Sequence, residues 1–353
     1  MKIFPLEVKG DCYTMDNSNL STISTCPRSA FYKLILKRRK VKNRAALFFG
    51  GVIHKALEVR DLEQEVLISQ EVEDKMIQKM MEEYEDTEME MGEYRTLDYA
   101  IKTVKQYNKT YKFDALTAIQ LPSGQIAVEL PFALHVGNIE VQREILISDP
   151  DINEGAPTMK YFDHIKIVFT GKIDRVVRKN GGLFLLDHKT TSMGGPTFFQ
   201  EFYTSLQFKG YKWALEQIIG EPVQGVIING LVCRPPLKSG DINFTFDRDT
   251  IYLDDTVIEE WQNSFMITVQ EFFQYIFNQE GYDTQEQSFP MRTNWCSAKY
   301  GLCEYYDVCQ LPVLQRGGMI MGGLYEPHAW SPLEEEPKPK KKAEKVDFGD
   351  FFK

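Results

Sequence analysis

The tightest constraint on this chain lies between Gly171 and Thr190, which reads GKIDRVVRKNGGLFLLDHKT. Apolar runs on either side of Asn180-Gly181 predict two strands joined by a two-residue turn, because Asn-Gly readily takes the positive φ such turns need. That turn pairs Lys179 with Gly182, and counting outward sets Asp174 opposite Asp187. Opposed side chains in an antiparallel pair lie about 4.5–5.5 Å apart at Cβ, and like charges so placed repel. Something positive must stand between them. Lys189, on the strand face of Asp187 because side chains alternate, is one choice; a divalent cation is the other. Oxygen-rich sites with few protein ligands suit Mg²⁺ or Mn²⁺, which keep waters and contact phosphate. A lysine beside them positions or deprotonates attacking water and offsets charge as a phosphodiester is attacked. An isolated Asp-x-Lys at a strand end is more often a surface ion pair, so the rest of the chain must decide.

The 353 residues allow one large domain or two ordinary ones. The N-terminal third reads as α-rich. A helix capped near Ser24 or Thr25 is expected within residues 18–40, and a second starts after Gly50-Gly51 and runs through VIHKALEVRDLEQ. Residues 70–115 show helical spacing throughout. Strands follow in IAVELPFALHV, in the segment around the hairpin and in VQGVIINGLVCR. SLQFKGYKWALEQIIG and a stretch from about Thr256 to Ile276 return to helix. Strands flanked by helices predict an α/β core over residues 1–333 with a helical insertion at about 60–115. Residues 334–353, charge-blocked and proline-containing, are expected to be a disordered tail. No run reaches the roughly 20 apolar residues of a membrane span, and the N-terminus lacks a secretory signal pattern. The expectation is a cytoplasmic protein with no membrane partner. A net charge of −10 excludes a general nucleic-acid coat. Any DNA contact would be local, and the basic run from Lys33 to Arg44, with Arg38, Arg39 and Lys40 at its heart, is either that contact or a solvated helix face.

Three further motifs accompany the hairpin. Gly50-Gly51-Val52-Ile53-His54-Lys55-Ala56-Leu57-Glu58 has the form GxxxHxxLE, Gln207 and Tyr211 have the form QxxxY with both side chains on one helix face, and Glu129 sits in the strand AVELPF. Together with the order GxxD, strand, turn, strand, DxKTT, they resemble the PD-(D/E)XK nuclease superfamily, in particular its RecB-like exonuclease branch. The resemblance implies a restriction-endonuclease-like core, a mixed central sheet flanked by helices, and hydrolysis of DNA phosphodiesters with Mg²⁺ or Mn²⁺. It implies His54, Asp174 and Asp187 as metal ligands and Lys189 in water activation or charge stabilisation. It also implies that the backbone carbonyl of His188 completes the metal shell, with its side chain turned away. Gln207 and Tyr211 would contact DNA near the scissile phosphate; Glu58 and Glu129 would support the site. Exonucleolytic action on DNA ends or single strands, in recombination, repair or replication, is implied by the resemblance alone. The alternative is a recombination or repair factor that keeps the fold and binds DNA without cutting it, against which the full Asp, Asp, Lys and His set argues. No GxxxxGK[ST] loop marks a helicase motor.

Six cysteines occur, at positions 12, 26, 233, 296, 303 and 309, and in a reducing compartment they are thiols or metal ligands. Cys296, Cys303 and Cys309 cluster at the end of the folded part, and Cys26-Pro27-Arg28 stands near its beginning. Four thiolates can hold a cubane cluster, and this distribution resembles the iron–sulfur nucleases of the superfamily, including the AddB nuclease domain and the CRISPR spacer-acquisition nucleases. The resemblance implies a 4Fe-4S cluster that staples the chain ends around the core. Six residues separate Cys296 from Cys303, where those relatives commonly have two. A Cys₄ zinc site and unligated thiols remain the alternatives. Cys12 could replace Cys26 as a ligand, and Cys233, in an apolar strand, reads as a core thiol. The end of the tail, Val346-Asp347-Phe348-Gly349-Asp350-Phe351-Phe352, resembles peptides that dock on sliding clamps, with Lys345 where the glutamine usually stands. That resemblance implies a clamp or replication partner; the alternative is a terminus without one.

Overall fold

The Asn180-Gly181 turn forms as its residues dictate, with φ of 52° and 81° at its two central positions. In the computed structural model, which describes residues 12–41, 45–85, 94–146, 158–239, 241–277, 284–298 and 301–328, this hairpin lies at the centre of a mixed sheet. The chain begins with β1 (Cys12–Met15), α1 (Asn17–Thr25), α2 (Pro27–Ala30), a π-helical turn (Phe31–Ile35) and β2 (Arg38–Lys40). Three helices follow: α3 (Ala45–Glu63), α4 (Gln70–Glu85) and α5 (Leu97–Thr110). Next come β3 (Val128–Leu146), β4 (Thr158–Lys179), β5 (Gly182–Thr191), α6 (Pro196–Gln200), α7 (Leu206–Ile219), β6 (Val223–Arg234) and β7 (Asn243–Tyr252). The last part holds α8 (Asp255–Phe277), β8 (Ser297–Ala298), β9 (Gly301–Leu302), α9 (Tyr306–Cys309), α10 (Val313–Met321) and β10 (Tyr325–Pro327).

The sheet runs β1-β4-β5-β6-β7, with β3 also paired to β4. β1 with β4 and β5 with β6 are parallel; the remaining pairs are antiparallel. The parallel step from β5 to β6 needs a crossover, and α6 and α7 supply it. One apolar core fills the side of the sheet that α7 and α8 cover, with Phe169, Phe208, Trp261 and Phe265 at its centre. It continues to Tyr32, Phe289 and Tyr305, joining early and late segments of the described chain. A second core, of Phe49, Ile53, Leu57, Met76, Tyr99 and Val104, packs α3, α4 and α5 against Leu231 and Cys233 of β6. Among the described residues no helix is long and apolar enough to cross a membrane.

Several boundaries differ from the sequence expectation. Ser24 and Thr25 close α1 instead of capping a helix: Asp16 is the cap, its Oδ1 accepting from Asn19 N at 2.7 Å. Cys26 is then extended, at φ −159° and ψ 109°, as a residue before proline prefers, and Pro27 restarts the helix. α3 begins at Ala45, so Gly50 and Gly51 lie inside it. The reason is contact with β5, since a Cβ on Gly50 would stand 2.6 Å from Thr190 Oγ1. The helical stretch foreseen over 70–115 is divided into α4 and α5. Arg38, Arg39 and Lys40 form a strand paired with β10, not a helix face. Lys42, Arg44 and the tail from 334 to 353, with the clamp-like segment, lie outside the described residues.

Candidate active site

Asp174 stands where β3, β4 and β5 run side by side. Pairing of Arg175 with Leu186 ends the β4–β5 ladder one step short of Asp174 and Asp187, so the strands stop exchanging hydrogen bonds where the carboxylates begin. On the other side Val128 pairs with Arg175 and Leu130 with Ile173, which sets Glu129 beside Asp174. Three acidic residues thus occupy adjacent strands, and α3 brings His54 to them. Ligand atoms of His54, Glu129 and Asp174 lie within 4.8 Å of one another, and His54 Nδ1 is 3.6 Å from Asp174 Oδ2. Glu129 holds φ 47°, in the left-handed region that costs an ordinary residue about 1–2 kcal/mol. Strain of this kind concentrates where side chains are aimed for function.

The remaining contacts fix the acids in place. His188 N–H donates to Asp174 Oδ2 at 2.9 Å. Lys189 Nζ lies 2.7 Å from Asp187 Oδ2, on the shared strand face. Gln207 bridges that pair from α7, with Oε1 3.4 Å from Lys189 Nζ and Nε2 3.5 Å from Asp187 Oδ1. Lys172 Nζ stands 3.3 Å from Glu129. Glu58 pairs with Lys55 at 3.1 Å one turn beyond His54, and its charge helps to raise Glu129. Tyr211 packs edge-on against Phe132 and is half-buried beside the acids; burial, then Asp187 and Asp174, push its phenol up.

The electrostatics of the site follow from burial and from like charge. Burial, then the charge of Asp187, pushes Asp174 up to about 8. Burial also raises Glu129, in spite of Lys172. His54 is held below its ordinary value, again by burial, which Asp187 only partly offsets, so its imidazole is neutral and can ligate. Burial works to lower Lys189, but Asp187 and Asp174 overcome it and keep the ammonium above its ordinary value. Two half-buried acids, Glu129 and Asp174, whose carboxyls burial raises, joined by one neutral imidazole, form a donor set suited to a hard divalent cation.

The structure therefore gathers His54, Glu129, Asp174, Asp187, Lys189, Gln207 and Tyr211, with Glu58 at their edge. Arg38, Arg39 and Lys40 belong instead to the separate β2–β10 ribbon. Arg39 pairs with Glu326 at 2.9 Å, Lys40 pairs with Asp307, and the Arg38 carbonyl accepts from Tyr305 Oη at 2.6 Å. Arg39 and Lys40 fasten the C-terminal segment by ion pairs, and Arg38 does so through its backbone. The sequence reading missed the place of Glu129 among the converging ligand atoms, and it missed the buried partners Asp61 and Arg175. Asp61 follows His54 by seven residues on one helix, two turns along one face, and that spacing was the available signal.

Among the cysteines, one sits where its strand context placed it. Cys233, 3% exposed in β6, is a core thiol that burial pushes up to about 11. Arg292 N–H lies 3.5 Å from Cys26 Sγ, and Cys303 N–H donates to the Cys296 carbonyl at 3.0 Å. Burial, then the nearby Cys26, Glu304 and Cys296, raise Cys303. Burial pushes Cys309 up to about 11, with Arg28 opposing and Cys303 and Cys26 adding to the rise.

The model of the PD-(D/E)XK nuclease superfamily matches residues 17–310. No curated protein sequence matches the chain. Among solved structures, SSO0001 is similar at TM-score 0.27 and 12% identity, covering 72% of this chain and 75% of that one. An alkaline exonuclease from Laribacter hongkongensis is similar at TM-score 0.22 and 14% identity, over 65% and 94% of the two chains. The same exonuclease in complex with dAMP gives TM-score 0.20. Overlaps this partial carry no functional weight.

Proposed function

From the premise that this chain belongs to the PD-(D/E)XK nuclease superfamily, we propose that it is a metal-dependent deoxyribonuclease of the RecB-like branch, acting on DNA ends or single strands. The observation that carries the reading is the convergence of His54, Glu129 and Asp174 within 4.8 Å, beside an Asp187 already gripped by Lys189 at 2.7 Å. His54, Glu129 and Asp174 would hold Mg²⁺ or Mn²⁺, with Asp187 at the neighbouring position. When bound, such an ion supplies Lewis acidity toward the scissile phosphate.

The chain's own groups do the rest. Lys189, kept protonated by the two aspartates, acts as a donor of positive charge and N–H bonds to the phosphate as negative charge builds, not as a base. Gln207 keeps Lys189 and Asp187 in register, and Tyr211, one turn along α7, packs edge-on against Phe132. The same positions would be wasted in a protein that only binds DNA. Cleavage is tested with end-labelled duplex and single-stranded DNA, and parallel RNA, in Mn²⁺ or Mg²⁺. Release of nucleotides from DNA that stops with chelator and with Lys189→Ala supports the reading. Binding without product by both proteins sinks it.

The same proposal includes a 4Fe-4S cluster on Cys26, Cys296, Cys303 and Cys309. Support comes from the mutual influence of these thiols and from Arg28, which is 6% exposed, with Nη1 lacking a hydrogen-bond partner and its charge felt at Cys309. This guanidinium also pairs with Glu286 at 3.9 Å, and its charge near these thiols suits an anionic cluster.

A further inference from the structure

Beneath the carboxylates, on the opposite face of β4 and β5, lies a second layer of charge that the chemistry above leaves unused. His188 sits between Asp187 and Lys189, so alternation turns its ring to that other face. It is 3% exposed, as are Asp61 and Arg175. His188 Nε2 lies 3.1 Å from Asp61 Oδ2, and Nδ1 lies 2.7 Å from Asn229 Nδ2. The amide of Asn229 has one orientation, because its Oδ1 accepts from Arg248 Nε at 2.9 Å and a guanidinium only donates. Nδ1 of His188 therefore accepts, and its Nε2–H donates to Asp61. The other oxygen of Asp61 accepts from Arg175 Nη1 at 2.6 Å.

Each member of this layer is tied to a different part of the site. Arg175 follows Asp174 in β4. His188 separates Asp187 from Lys189 in β5, and its backbone N–H also holds Asp174 Oδ2 at 2.9 Å. Asp61 lies two turns beyond His54 on α3. One carboxylate, Asp61, thus joins the three elements that deliver His54, Asp174 and the Asp187–Lys189 pair. Buried ion networks are poor sources of stability, since well-packed apolar residues often serve as well. What they add is a fixed geometry, because each bond has one length and direction.

We propose that His188, Asp61 and Arg175 are positioning residues, setting the spacing of α3, β4 and β5 that lets His54, Glu129 and Asp174 share one cation. The proposal rests on the nuclease reading. Its test is Mn²⁺ affinity by titration calorimetry, with kcat and KM for DNA measured alongside, for the wild type, His188→Ala, His188→Gln and Asp61→Asn. Loss of a partner that orients metal ligands typically weakens metal binding or activity by roughly 10–100-fold. His188→Ala is expected to weaken Mn²⁺ binding in that range and lower kcat while KM stays near the wild-type value. His188→Gln, whose Nε2 can still donate to Asp61, is expected to recover most of both losses. If Asp61→Asn does not fold, the two His188 variants decide. His188→Ala that binds Mn²⁺ as tightly as the wild type, or His188→Gln that recovers nothing, overturns the positioning role alone. A wild type that neither binds Mn²⁺ nor cleaves DNA overturns the nuclease reading and this inference with it.

Discussion

On Asp174 burial and a neighbouring like charge press in the same direction. Its carboxyl, ordinarily near 3.8, is pushed up to about 8 by burial and then by Asp187. The folded state therefore holds this proton more tightly than the unfolded chain does. The stabilising contribution is fully present below about pH 4 and is lost as pH rises through about 8. Metal-free protein is expected to melt at progressively lower temperature across that window. Asp174→Asn should flatten the profile, and Mn²⁺ should restore the loss in the wild type alone. Asp16, which burial raises to about 6, contributes in the same direction, so the difference between the two proteins is the quantity to compare. For Lys189→Ala, kcat is expected to fall about 10²–10³-fold, the usual cost of removing one donor to developing charge, with DNA binding retained in a filter or anisotropy assay. Asp174, Asp187 and Lys189 were legible in the sequence because a two-residue turn allows the register to be counted locally. Glu129 was legible only as a supporting residue, and Asp61 only through its seven-residue spacing from His54, because which groups they meet depends on sheet order and on the seat of α3.

At the scale of elements, glycines decide how closely helices approach the sheet. Gly210 puts α7 against the core: a Cβ there would stand 2.7 Å from both Phe169 Cζ and Trp261 Cζ2. Rings packed this tightly cannot rotate away, so Gly210→Ala is expected to cost about 1–3 kcal/mol in urea unfolding. Because α7 carries Gln207 and Tyr211, kcat should fall as well, although position 210 touches no substrate. Gly50 plays the same part for α3 against Thr190, and here the sequence misled: a Gly-Gly pair reads as a helix start, whereas contact with β5 keeps it inside the helix. The helix-face reading of the basic run failed in a related way. Its charge was visible, but the acids that pair with it, Asp307 and Glu326, lie far along the chain.

Across the whole molecule, the two ends of the described chain meet. Arg28 Nε donates to the Phe289 carbonyl at 2.8 Å, Tyr32 Oη donates to Glu286 at 2.8 Å, and β2 pairs with β10. A cluster on Cys26 and the three later cysteines would lock a closure that these contacts already shape. Cys309→Ser is therefore expected to lose iron and colour and to melt at lower temperature, while Lys189→Ala keeps both; iron analysis and a thermal scan of proteins purified without oxygen check this. The alternation in the strands and the helical spacing around them made the mixed α/β architecture readable in advance. The closure was readable only as a distribution of cysteines. The decisive test of the central claim is anomalous scattering from crystals soaked in Mn²⁺. A peak bounded by His54, Glu129 and Asp174, with Asp187 adjoining, is the predicted result; manganese bound only elsewhere, with those side chains still converging around no ion, would contradict it.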